Sequence, residues 1–272
     1  MHAVKMHGAG NSFVLTENLH GELQGEDLSG LALRLCAASD TDGMIVIVPA
    51  AAEIADFGML FYNADGSLGE MCGNGARCIA RYGLEHGLAP DPDNIRIRAT
   101  AGPVIARRID ETRYEVRLND PSVIDLHRPA EALGTVYDCA YIELGDPGIP
   151  HAVVETEAAD FDDLDALRER GRALRRSPAF PRGANVSFAC RLEETRVRAI
   201  TFERGVEAFT LACGTGCGSI AASLILRGVI PGEELTIDMP GGQLSVRLCR
   251  EGQRVRDILL TGPTAVVGKI EY

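Results

Sequence analysis

Cys72-Gly73-Asn74-Gly75-Ala76-Arg77-Cys78-Ile79-Ala80 and Cys213-Gly214-Thr215-Gly216-Cys217-Gly218-Ser219-Ile220-Ala221 match at a leading Cys, two Gly, an Ile and an Ala. They stand at one offset of 141 residues (213 − 72). Each predicts the opening of a helix with a cysteine at its mouth, and the same offset recurs on either side. Residues 56–63 and 197–204 predict strands from their alternating or continuous apolar positions, and Asn63 and Arg204 each precede their Cys by nine residues. Residues 43–48 and 184–188 predict a further pair of strands, and Asn11-Ser12-Phe13-Val14 corresponds to Pro150-His151-Ala152-Val153 at a nearby offset of 139. Downstream, residues 94–106 and 234–246 predict hairpins turning at Ala101-Gly102 and Pro240-Gly241-Gly242, where glycine supplies positive φ. Gly87 and Gly228 predict the helix ends, since a left-handed residue closes a helix cheaply only as glycine.

A duplicated chain follows. The predicted fold is α+β: two pseudo-symmetric lobes, each a strongly curved, mostly antiparallel sheet around a central helix. The expected lobes are residues 1–119, carrying Cys72, and 120–272, carrying Cys213, with the last strand near 262–272 returning to the first lobe. Two further helices, about 26–37 and 162–176, read as amphipathic and external; the second carries the charge expected of a solvated face.

Composition narrows the function classes. The 272 residues suit one large domain or two of about 135 each. With 46% hydrophobic and 24% charged residues the chain is ordinarily globular, and a net charge of −12 argues against a nucleic-acid partner. The N-terminus lacks a basic segment followed by an apolar run, and no apolar stretch approaches the roughly 20 residues that span a bilayer. A cytoplasmic protein with no membrane partner is expected. The eight cysteines, at 36, 72, 78, 139, 190, 213, 217 and 249, read as reduced thiols rather than a disulfide framework. The C-x5-C and C-x3-C spacings have no neighbouring His, so no metal site is expected. Cys36, Cys139, Cys190 and Cys249 read as core, and Cys78 and Cys217 as packing residues within the helices.

That leaves Cys72 and Cys213. A cysteine at a helix N-terminus meets unpaired N–H groups and the positive end of the macrodipole, which favours thiolate. The adjacent glycines bare those N–H groups, so an anion can seat there. Two such thiols on opposite sides of one α-carbon are what a cofactor-free racemase needs: one removes the proton and the other delivers one, while N–H donors stabilise the developing enolate-like charge. Which thiol is ionised at rest stays open.

These motifs resemble the diaminopimelate epimerase family. The resemblance runs from Lys5-Met6-His7-Gly8-Ala9-Gly10-Asn11-Ser12-Phe13-Val14 through Asn63-Ala64-Asp65-Gly66-Ser67 and Met71–Arg77 to Glu203-Arg204-Gly205 and Ala212-Cys213-Gly214-Thr215-Gly216. It implies a pyridoxal-phosphate-independent epimerase, with no cofactor, interconverting LL- and meso-diaminopimelate on the route to lysine and cell-wall peptide. It also implies roles: Cys72 and Cys213 as the acid/base pair; Asn11 at the reacting end of the substrate; Gly73, Asn74, Gly214 and Thr215 offering backbone N–H groups to the proximal carboxylate; Asn63, Asn185 and Arg204 holding the distal centre; Glu203 and His151 orienting or tuning the thiols. Two departures stand out. The segment 36–43 is short and lacks the family's Arg, and Ile149 replaces the Asn of a Gly-Asn-Pro-His segment. The expected partner is a small amino acid, with a homodimer left open. The rival readings are a racemase of another amino acid, such as histidine or an antibiotic precursor, and a non-catalytic thiol protein that responds to redox state or metal.

Overall fold

The computed structural model describes residues 2–69, 71–100 and 102–271; the turn residue Ala101 lies outside them. The chain divides into two compact units, Met1–Arg117 with Thr261–Tyr272, and Leu118–Leu260. Each is a sheet curled around one helix. No helix among the described residues is long and apolar enough to cross a membrane.

The first unit contains β1 (His2–Gly8), β2 (Asn11–Glu17), α1 (Leu28–Ser39), β3 (Gly43–Val48), β4 (Phe57–Asn63), β5 (Leu68–Gly69), α2 (Gly73–Glu85), β6 (Ile95–Ala99), β7 (Gly102–Arg108) and β8 (Arg113–Arg117). β2 and β3 are parallel, as are β4 and β6, while β1–β2, β3–β4, β6–β7 and β7–β8 are antiparallel. β3 is buried along its whole length because both faces are covered, which is why it reads as an unbroken apolar run. Met44, Val46 and Val48 meet Leu31, Ala32, Leu35 and Cys36 of α1, whereas Ile45 turns the other way, toward Gly75 of α2.

The second unit repeats the order with β9 (Pro121–Ala132), β10 (Thr135–Gly145), β11 (Gly148–Glu155), α3 (Leu164–Arg175), β12 (Asn185–Glu193), β13 (Arg196–Glu203), β14 (Ala208–Phe209), α4 (Gly214–Leu226), β15 (Glu234–Met239) and β16 (Gly242–Glu251). The parallel pairs recur as β11–β12 and β13–β15. α3 lies outside, with Leu167 and Leu174 in a cluster that includes Phe188 and Phe202. The last strand, β17 (Arg254–Glu271), serves both units. Its early part takes a hydrogen bond from Leu118 N to Ile258 O, and its late part pairs antiparallel with β1, from Thr264 opposite Gly8 to Glu271 opposite His2, and also joins β8. The first sheet therefore closes on itself through β17.

A helix inside a closed sheet needs small residues. In α2, a Cβ at Gly83 would sit 2.4 Å from Phe57 Cε1, and on β1 a Cβ at Gly8 would sit 2.8 Å from Asn74 O. α4 is buried from Gly216 through Leu226. Both helices end the same way. Gly87 (φ 71°) and Gly228 (φ 73°) are left-handed, Leu88 N bonds Gly83 O, and Val229 N bonds Leu224 O, closing paired Schellman turns. The hairpin glycines Gly102 and Gly242 also have positive φ, 117° and 138°.

One core expectation fails. Cys249 is only half-buried. Strand alternation sends Leu244, Val246 and Leu248 inward on β16, so Cys249 falls on the outer face.

Candidate active site

In the first unit Cys72 is the N-cap of α2. Its extended backbone (φ −132°, ψ 111°) turns Sγ back over the helix end, where Gly75 N donates to it at 3.4 Å. Gly73 and Asn74 open the helix beside it. Asn74, 3% exposed, donates from Nδ2 to Asn11 Oδ1 at 2.7 Å, so the first residue of β2 is tied to the helix mouth. Asp42 holds the same spot from the other side: its Oδ2 accepts from Ser12 N at 2.7 Å. Asn63 ends β4 in a turn closed by Gly66 N to Asn63 O, and its Nδ2 donates to Ser67 Oγ at 2.9 Å. The structure thus brings Asn11, Cys72, Gly73 and Asn74 together.

In the second unit Cys213 is the N-cap of α4, again extended (φ −118°, ψ 109°) but 7% exposed. Thr215 Oγ1 lies 3.6 Å from its Sγ and 2.9 Å from His151 Nε2. His151 is fully buried, and burial, aided by the Arg204 charge, pushes it down to about 3, so the ring is neutral. Asn185 lies against the same ring. Its Oδ1 accepts from Arg204 N at 2.8 Å, which leaves Nδ2 facing His151 Nε2 at 3.4 Å. The Asn185 amide and the Thr215 hydroxyl therefore meet the same ring nitrogen. Glu203, at the end of β13, accepts from Thr210 Oγ1 at 2.6 Å and also hydrogen-bonds with Cys213; burial raises its carboxyl above the usual range. Arg204 is exposed and anchored by Nη1 to Arg182 O at 2.9 Å.

These surroundings correct the expectation that the helix end makes each thiol more acidic. Cys213 is raised well above its ordinary value, first by burial and then by the Glu203 charge. A helix terminus contributes about 0.3–2 kcal/mol, whereas full burial can move a pKa by roughly 3–5 units. Cys213 is therefore a protonated thiol, suited to deliver a proton. Cys72 is half-buried, with a backbone donor at its sulfur.

Several participants escaped the sequence reading. Thr210 stands immediately after a two-residue strand that no pattern marks. Thr201 and Ser187 pair at 3.0 Å (Oγ1 to Oγ) beneath Gly216, where a Cβ would lie 3.0 Å from Thr201 Oγ1. Their signal was available: each is a hydroxyl at a buried position of an otherwise apolar strand. Asp42 could have been noticed as an acidic residue ending the short segment before β3.

The family model described as diaminopimelate epimerase matches residues 3–124 and 145–267. The unmatched stretch between these blocks falls in the β9–β10 hairpin. A diaminopimelate epimerase of Pelotomaculum thermopropionicum is 31% identical over 100% of this chain and 99% of its own length. Another, from Methanothrix thermoacetophila, is 35% identical over 91% and 89% respectively. Among solved structures, a phenazine biosynthesis protein of the PhzF family from Bacillus anthracis shares the fold with a TM-score of 0.78 at 14% identity, covering 100% of this chain and 98% of that one. A hydroxyproline epimerase from Agrobacterium vitis does so at 0.64 and 18%, covering 100% and 90%. The repeated cysteine-capped helices, the two curled sheets and these near-full-length matches agree, and the chain belongs to the diaminopimelate epimerase family of isomerases.

Proposed function

We propose that this chain interconverts LL- and meso-diaminopimelate by moving protons between the substrate α-carbon and two thiols, Cys72 and Cys213. The observation that carries the reading is the repeated construction of the half-sites. Each places a cysteine at the N-cap of a helix held inside a sheet, followed by glycine at the helix's first and third positions. In that arrangement the N–H groups of Gly73 and Asn74, and of Gly214 and Thr215, take the proximal carboxylate. As the α-proton leaves, the same donors stabilise charge growing on the carboxylate oxygens. One thiol acts as base while the other acts as acid, and the roles exchange in the reverse direction.

Cys213, protonated at rest, delivers the proton in the direction in which Cys72 removes one. Glu203 and the Thr215–His151 pair orient and tune Cys213. Arg204 takes the distal carboxylate, for which a guanidinium offers a two-point grip. Asn63 adds amide contacts at that end, and Asn185 holds Arg204 by its backbone N–H. The acidic, thiol-rich chain fits a reducing cytoplasm, where the product feeds lysine and cell-wall peptide synthesis.

The test is turnover of purified protein on LL-diaminopimelate with no added cofactor, beside a panel of other L-amino acids. The expected result is formation of the meso isomer, with kcat lowered by about 10²–10⁴ or more in both Cys72→Ala and Cys213→Ala. Unchanged turnover in both variants would end the proposal. Racemisation of an amino acid without a distal carboxylate, and none of diaminopimelate, would replace the substrate while keeping the reaction.

A further inference from the structure

Arg77 lies one helical turn beyond Cys72 and is fully buried. Its Nη2 donates to Asn74 Oδ1 at 2.8 Å and its Nη1 to Gly73 O at 3.4 Å. Asn74 passes the contact on, donating from Nδ2 to Asn11 Oδ1 at 2.7 Å. The direction of this chain is fixed by its first member. A guanidinium has donors only, so the face of the Asn74 amide toward it must be the carbonyl. The Asn74 NH2 must then point at Asn11, and it too can only donate. Asn11 must answer with its carbonyl, and what Asn11 has left for a ligand is its own NH2. Turning either amide over would bury one donor against another, the costly case for a polar group away from water.

We propose that Arg77 is a positioning residue that sets the polarity of this half-site: through Asn74 it makes Asn11 a hydrogen-bond donor, selecting a carboxylate oxygen of the substrate rather than its ammonium group. The proposal rests on the reading of Asn11 as a contact for the reacting end of the substrate. It extends that reading by naming which end of the amide, and so which group of the amino acid, is engaged. Residues 77, 74 and 11 form one relay: a cation that never meets substrate decides the hydrogen-bonding sense of a residue that does.

The test uses five variants of the intact chain and a readout that needs no substrate. In Asn74→Asp a carboxylate takes both Arg77 and Asn11 as donors. Asn11 must then turn its NH2 inward and show its carbonyl, while the new ion pair with Arg77 keeps the fold. The side-chain amide protons of Asn11, assigned in nitrogen-15 NMR by their loss in Asn11→Asp, are expected to gain protection from solvent exchange relative to wild type. KM for diaminopimelate is expected to rise about tenfold or more, because a carbonyl then opposes a carboxylate. Arg77→Met, which removes the donors, is expected to raise KM by about tenfold with a smaller change in kcat, and Arg77→Lys to recover most of the loss.

Unchanged exchange of the Asn11 amide in Asn74→Asp would overturn the relay, as would Arg77→Lys failing as badly as a folded Arg77→Met. Should Arg77→Met not fold, Asn74→Asp and Arg77→Lys still decide the matter. An unchanged KM in Asn11→Ala would overturn the substrate contact even if the amide protons respond as expected. The NMR arm therefore separates failure of the relay from failure of the functional reading.

Discussion

Cys213 and Cys72 occupy the same position in a repeated motif, yet their surroundings differ, and the difference is chemical. Glu203 and Thr215 flank a buried Cys213, while Gly75 N caps a half-buried Cys72. The Glu203 charge is one cause of the raised Cys213 pKa, so removing it must lower that pKa. Glu203→Gln is therefore expected to bring forward the pH at which Cys213 reacts with iodoacetamide, followed by mass spectrometry of the labelled peptide. An unmoved or later onset would show that burial alone controls the thiol. At this scale the sequence told much. Cys72, Cys213, Asn63 and Arg204 stand out by type and spacing before any coordinates, and Asn11 only through the family resemblance. It could not tell the acidity of Cys213, because the helix end pushes one way and burial the other, and burial belongs to the folded state alone. Nor could it show that Asn185 spends its carbonyl on Arg204 N, a contact between separate strands.

The two sheet-enclosed helices work as elements because glycine lets other groups come close. Gly216 lies where a Cβ would meet Thr201 Oγ1 at 3.0 Å and Cys213 Sγ at 3.2 Å. Gly216→Ala is expected to displace the sulfur and lower kcat by about tenfold or more, while the better helix propensity of Ala, up to about 1 kcal/mol, holds the melting temperature near wild type. Gly83→Ala should do the reverse. Its Cβ would enter the buried ring of Phe57 at 2.4 Å, with an expected loss of about 1–3 kcal/mol in chemical denaturation and kinetics otherwise preserved. Equal effects of both substitutions on activity and stability would contradict this division. The elements themselves were largely legible: α2 and α4 lie at the 141-residue offset, with the predicted glycine ends. Strand pairing was not, because the β2–β3 and β11–β12 parallel contacts join segments separated by whole helices. Cys249 shows the limit of an apolar run, where one position more reverses the face.

Across the whole molecule, burial of ionisable groups gives stability two pH limbs. His151 is held at about 3 against an ordinary 6.5, so as pH falls the unfolded chain takes that proton first. Its contribution is complete above about 6.5 and is lost as pH drops toward 3. Cys36, Cys78, Cys139, Cys190 and Cys213 are all raised above 9.0, first by burial, so unfolded thiols ionise before folded ones and stability is lost as pH rises past about 9. Thermal melts from pH 3 to 11 should fall at both ends, with the acid limb shallower in His151→Gln; a flat alkaline limb would contradict the burial of the thiols. The duplication that organises this molecule was plain in its sequence, whereas closure of the first sheet by β17 depends on residues 264–271 pairing with residues 2–8 and could not be proved from pattern. In the proposed function the duplication supplies two thiols for one carbon. The direct measurement is proton NMR of LL-diaminopimelate turnover in deuterium oxide at early times. Two-thiol transfer predicts deuterium at the inverted α-carbon of the meso product while recovered LL substrate keeps its proton; product that retains protium, or substrate labelled as fast as product, would rule it out.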